Sequence, residues 1–279
     1  MHRVFSRLLA VSAVVASVSA VACDMSPLAN DQSPRSSAEA PEKSTHRPEA
    51  NPAPAANRPD ARAYDWVGRN HSRGLEFARR KLDTMRIDLS SRAARNAFAH
   101  ATVREFAATV PEYVEKGKST TGPHTAQGLS RRSITSNSGY LIESEYDYHV
   151  TPADASSTLA QSGYSALAID LGEALLSAPY ANDPRAEFDR IEQLALQGLS
   201  GAEADMVLSS VAIGRDSWTY WAPDVSNSRE DPAVPLVAAD IAGAIVGGLF
   251  GGLKGAFVGG VGGSLVKAIE MMITEATSG

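Results

Sequence analysis

Residues 243–263 read GAIVGGLFGGLKGAFVGGVGG, and ten of these twenty-one residues are glycine. Gly243, Gly247, Gly251, Gly255, Gly259 and Gly263 recur at every fourth position, which is a helical spacing. Glycine costs about 1 kcal/mol per residue in a helix relative to alanine, so the run carries an intrinsic penalty of roughly 10 kcal/mol. Such a run stays helical only if its bare face lets another helix come very close. A second row of small residues, Gly248, Gly252, Ala256, Gly260 and Ser264, lies beside the first. The larger side chains, among them Ile245, Leu249, Phe250, Leu253 and Phe257, fall on the remaining surface.

Between Ile241 and Val266 the only charge is Lys254. A helix of that length reaches about 39 Å, ample for a bilayer core of about 30 Å. A lysine at its middle is expensive in lipid. A hairpin with a turn near Lys254 and arms Ile241–Leu253 and Gly255–Val266 answers that objection. Three arrangements stay open: a hairpin packed in or on a soluble bundle, a membrane segment, and an assembling segment whose Lys254 lines an aqueous centre. The pattern resembles the glycine zippers of bacterial envelope proteins and of small membrane-active bacteriocins. That resemblance covers about 30 of the 279 residues. It implies close helix contact, with self-association or membrane contact as possible partners.

The N-terminus reads as an export signal. Arg3 and Arg7 precede the uncharged stretch Leu8–Val21, which is short for a bilayer span. Ala20-Val21-Ala22-Cys23 follows. Ala20 and Ala22 fit ordinary cleavage before Cys23, and the same four residues resemble the lipobox of bacterial prolipoproteins, with Ala20 where leucine is usual. The resemblance implies lipidation of Cys23 and membrane attachment through it. Cys23 is the only cysteine, so it forms no internal disulfide and no cysteine cluster ligates a metal. Asp24 after it resembles the signal that retains lipoproteins at the inner membrane of Gram-negative cells. The expected location is the outer face of the cytoplasmic membrane or the periplasm, with secretion as the alternative.

Seven of the fifteen prolines lie between residues 24 and 61, among Ser, Ala, Glu, Asn and Arg. Such a stretch buries too little apolar surface to fold and stays extended. The expected division is a signal peptide (1–22), a disordered tether (23–61), a helical domain (62–230) and the glycine segment (231–279). Net charge is −6; with no basic stripe or finger motif, nucleic acid is not an expected partner.

From Ala63 onward the spacing is helical. Trp66, Asn70 or His71, Leu75, Phe77 and Leu82 form one stripe. Ser90 or Ser91 begins a second helix carrying Phe98 and Phe106, and Pro111 ends it or opens a further turn. Residues 117–138 read as a loop. Tyr140–Val150 is ambiguous between strand and helix, and reads as helix. A helix starting at Thr151-Pro152 carries Leu159, Leu167, Leu171 and Leu175. Asp183-Pro184 marks another start, and Ser200 with Glu203 reads as a capping box. Trp218, Tyr220 and Trp221 read either as core anchors or as interfacial aromatics. No useful strand alternation is present. The expected fold is all-α, an irregular helical bundle ending in a glycine-zipper helix or hairpin.

Chemistry is sparse. The six histidines form no HExxH or HxxxH pair, and no P-loop, nucleophile elbow or dinucleotide fingerprint is present. We therefore assign no catalytic residue, metal or cofactor, and favour a non-enzyme. Asn70 and His71 are the candidate polar site; a solvated helix face is their simpler explanation, and a cluster of His71, His100 and His149 has no motif behind it. Asp170, Glu173 and Asp205 read as a solvated face or as charges that favour the helix dipole. The segments GRNHSRGLEF, SWTYW and AADIAGAIVGG are similar to parts of bacterial envelope proteins of no assigned activity. The function expected is a structural or interaction role in the envelope. The alternatives are a ligand-binding or hydrolytic domain using His71, and a membrane-active protein.

Overall fold

In a computed structural model of the chain, residues 59–85, 87–116, 148–222 and 233–278 are described. They fall in one compact unit, Ala50–Gly279. The signal segment, Cys23, the tether up to residue 58, the loop 117–138 and residues 140–147 lie outside the described residues. Among those described, every regular element is helical.

Eight helices follow in order: α1 Asp65–Thr84, α2 Arg92–Ala107, α3 Pro111–Lys116, α4 Pro152–Ala160, α5 Ala166–Ser177, α6 Pro184–Gly198, α7 Gly201–Trp221 and α8 Ala233–Ser278. Short 3-10 turns stand at Ala61–Ala63 and Ala178–Tyr180. Local chemistry explains most starts. Ser91 caps α2 by accepting from the Ala94 N–H. Thr151 and Asp154 form a reciprocal capping box at α4, and Asp183 caps α6 with Pro184 in its first turn; both devices satisfy amide donors that a helix start leaves open. Pro111 opens α3. Residues 151–177, expected as one helix, are two. Gly163 takes a positive φ of 72°, and Ser165 restarts the chain by capping α5.

Two further expectations change. Tyr148–Val150 is not helical; Tyr148 instead donates its N–H to Asn96 at 3.1 Å. Ser200 makes no side-chain cap at α7. Glu203, expected as its partner, accepts from the N–H and hydroxyl of Ser165 at 2.6 and 2.7 Å. It joins the starts of α5 and α7 rather than closing a local box.

α8 is the centre of the fold. It breaks at Gly252 (φ 58°, ψ −146°) and folds back on itself. A Cβ on Gly247 would lie 2.0 Å from the Gly255 carbonyl oxygen, one on Gly243 2.2 Å from that of Gly259, and one on Gly263 2.6 Å from that of Ala239. These pairs run in opposite directions along the two arms, so the arms are antiparallel and meet at backbone contact. The turn lies two residues before Lys254. Lys254 rests over the Tyr113 ring, 4.3 Å from its centroid, in a cation–π contact at the hairpin tip.

The outside of the hairpin is covered by α7, α4, α2, α1 and α5. Ile241, Ile245, Leu249 and Phe257 are fully or almost fully buried. α8 is long and apolar enough to cross a membrane, yet 94% of its most apolar stretch is buried inside the protein. A helix apolar on all sides must be covered all round, and here the bundle does it. Trp218 is a buried core residue. Tyr220 and Trp221 meet edge to face at 4.7 Å, and the Trp221 indole donates to Ser264 at 3.0 Å, tying α7 to the second arm.

Candidate functional site

His71 is wholly buried rather than on a solvated face. The stripe of α1 faces α7 so closely that a Cβ on Gly68 would stand 2.7 Å from the Ala212 carbonyl oxygen. This contact brings His71, one turn further on, against Asp216 of α7 and Asp240 of α8. The His71 Nδ1 lies 2.9 Å from Asp216 Oδ2, and its Nε2 lies 3.4 Å from Asp240 Oδ2. Asp240 is 0% exposed, and the side chain of Asp216 is 21% exposed. Ser72 donates its N–H and hydroxyl to Asp216, and the Ser217 hydroxyl donates to Asp240. One histidine therefore bridges three helices through two carboxylates.

Burial alone would push the His71 pKa down. Asp240 and Asp216 outweigh it by attraction and hydrogen bonding, and raise the pKa to about 9. At neutral pH the ring is an imidazolium between two aspartates. Removing ions from water is costly, and only partners at this range compensate. Asn70, the other candidate, is also buried. It donates to the Trp66 carbonyl oxygen at 2.8 Å and accepts from Arg73 at 2.7 Å, a role confined to its own helix.

Chemically the cluster is a clamp. A general base must touch the proton it removes, whereas His71 is protonated, enclosed and faces a carboxylate at each ring nitrogen. A cleft of about 520 Å³ lined by Ser72, Arg73, Glu76, Arg80, Phe106 and Tyr220 reaches the cluster only through Ser72. A second, of about 370 Å³, includes His149, Asp154, Lys267 and Glu270. His71 lines neither. His149 pairs with Glu270 at 2.8 Å, so His71 and His149 serve different carboxylates. Among the described residues no group of His, Cys, Asp and Glu is arranged to hold a metal ion.

The other three carboxylates singled out from the sequence divide. Asp205 accepts from the Tyr64 hydroxyl at 2.8 Å; burial and Asp205 raise that phenol's pKa. Glu173 accepts from Ser156, and Asp170 is exposed. Of the six packing glycines, Gly243, Gly247, Gly255, Gly259 and Gly263 stand in the hairpin contact, while a Cβ on Gly251 would meet nothing. Asp216 and Asp240 are the residues the sequence reading missed. Asp240 carried a signal: it is the only charge between Ala233 and Leu253, and so needed a partner.

The fold and this cluster define an all-α protein built on a long apolar helix and held by a buried ionic bridge. No protein-family model, curated protein or solved structure matches the chain.

Proposed function

We propose that this is an exported cell-envelope protein, attached to the membrane through lipidated Cys23 and carrying its helical domain on an extended tether, with a structural or interaction role. The observation that carries this reading is the burial of α8. Its apolar surface is covered and five of its six period-four glycines are packed within the domain, so the resting protein does not need α8 as its anchor. The AVAC sequence at Cys23 and the proline-rich stretch after it supply an anchor and a spacer instead. The glycine-zipper reading of Gly243–Gly263 becomes an internal one, helix against helix in the same chain.

Fractionation of cells expressing the wild type and Cys23→Ser tests this. Wild type is expected in the membrane fraction, resistant to carbonate and released by detergent. Cys23→Ser is expected to be fully soluble. Retention of Cys23→Ser as an integral membrane protein overturns the proposal.

A further inference from the structure

The α8 hairpin differs from an ordinary core helix in three ways that point to the same partner. Its two arms meet through backbone contacts at Gly243, Gly247, Gly255 and Gly259. Contact of that kind rests on close approach rather than on exclusion of water, so it persists in lipid. Apart from Asp240 and Ser264, its outer surface between Ala233 and Val266 is apolar away from the tip. Its charges also sit where a bilayer hairpin would place them, with one exception.

Measured from the turn at Gly252, Lys254 is at the tip, where a long side chain reaches the headgroups. Lys267 and Glu270, paired at 3.7 Å, come about 22 and 27 Å down the second arm, and the first arm from Ala233 runs about 28 Å at 1.5 Å per residue. Glu270 and Ala233 fall close to the hydrocarbon thickness of about 30 Å, and the long Lys267 side chain reaches the same level from slightly deeper. The exception is Asp240, about 18 Å from the turn along the first arm, where a carboxylate is strongly disfavoured in lipid. In the folded protein this one misplaced charge is the residue held by His71 and Ser217, while Asp216 grips the other side of the same imidazole.

We propose that the α8 hairpin is a latent membrane-inserting element, retained in the bundle by the Asp240–His71–Asp216 cluster and able to leave it as a unit for a lipid bilayer. The cluster holds the hairpin at the residue that most opposes insertion. Loosening the grip and removing that charge therefore act in the same direction. The proposal goes beyond the envelope reading and does not depend on the lipid anchor, since it concerns what the domain does at a bilayer surface.

The test uses the full chain with Cys23→Ser and dye-loaded vesicles of phosphatidylcholine and phosphatidylglycerol. A lock is built by Met206→Cys with Gly248→Cys. A Cβ at position 248 would stand 3.4 Å from that of Met206, at the short edge of disulfide spacing, and the bond joins α7 to the first arm. Asp240→Asn is expected to release dye at least threefold faster than the unchanged side chain. The oxidised lock, placed in either background, is expected to reduce release to the buffer level, with reductant restoring it. Equal release from the oxidised and reduced lock assigns the effect to another part of the chain, such as residues 8–21, and overturns the proposal. So does the absence of release from a folded, soluble Asp240→Asn protein. Should Asp240→Asn fail to fold, His71→Leu with Asp240→Leu removes the opposing charge together with its cation and carries the same two expectations.

Discussion

Gly247 and Gly255 face each other across the α8 hairpin so closely that a Cβ on either would lie 2.0 Å from the carbonyl oxygen of the other. No side chain fits that space, and both obstacles are backbone. The glycines therefore offset their poor helix propensity by letting two helices touch along their main chains.

Gly247→Ala and Gly255→Ala should each destabilise the protein by about 3 kcal/mol or more, at the upper end of overpacking costs, despite the better helix propensity of alanine. Urea unfolding followed by circular dichroism measures it. Gly251→Ala is the control: a Cβ there meets nothing, and a gain of up to about 1 kcal/mol is expected from propensity alone.

Gly252 stands one residue further on with the opposite expectation. Its φ of 58° and ψ of −146° belong to a region open almost only to glycine, and a side chain there costs about 1–3 kcal/mol. Gly252→Ala should lower the urea midpoint while Gly251→Ala raises it. Equal effects at both positions would contradict the placing of the turn.

The imidazolium of His71 gives stability a pH signature. Its pKa is raised to about 9 in the folded protein, against about 6.5 in an unfolded chain. The stabilisation is complete below about pH 6.5, declines as pH rises through 9, and amounts to on the order of 3 kcal/mol. Urea midpoints of the wild type should fall across that window, and those of His71→Gln should be flatter. Nitrogen-15 shifts at pH 7 should show both ring nitrogens of His71 protonated.

Breaking the cluster one member at a time should be worse than replacing its buried pair. His71→Leu leaves Asp240 buried and facing Asp216 without the cation, a change of about 3–5 kcal/mol. His71→Leu with Asp240→Leu removes both buried charges and should recover part of that loss in a double-mutant cycle. A double variant as unstable as the sum of the singles would show that the two residues are not coupled.

Much of this architecture can be read from spacing and caps. Asp183-Pro184, Thr151-Pro152 and Ser91 mark helix starts through contacts within three residues, which a linear reading reaches. The glycine rows announced close helix contact, and Lys254 pointed to a break near the middle of the run. The exact turn escaped because it is set by register: once Gly243 meets Gly259 and Gly247 meets Gly255, the chain must reverse at 251–252, before the charge. Glu203 misled because its partner, Ser165, sits on another helix. His71 stood on the apolar stripe of α1, but its burial became explicable only with Asp216 and Asp240, which distant parts of the chain supply. Charges isolated in apolar runs, such as Asp240, are the trace such a cluster leaves in a sequence.

The central claim is that the α8 hairpin is the covered core of the helical domain. Amide hydrogen exchange on the Cys23→Ser protein in detergent-free buffer tests it most directly. The slowest amides of the chain are expected in Ile241–Leu249 and Ala256–Val266, exchanging only through global unfolding. Fast exchange of those segments while α6 and α7 stay protected would contradict the account.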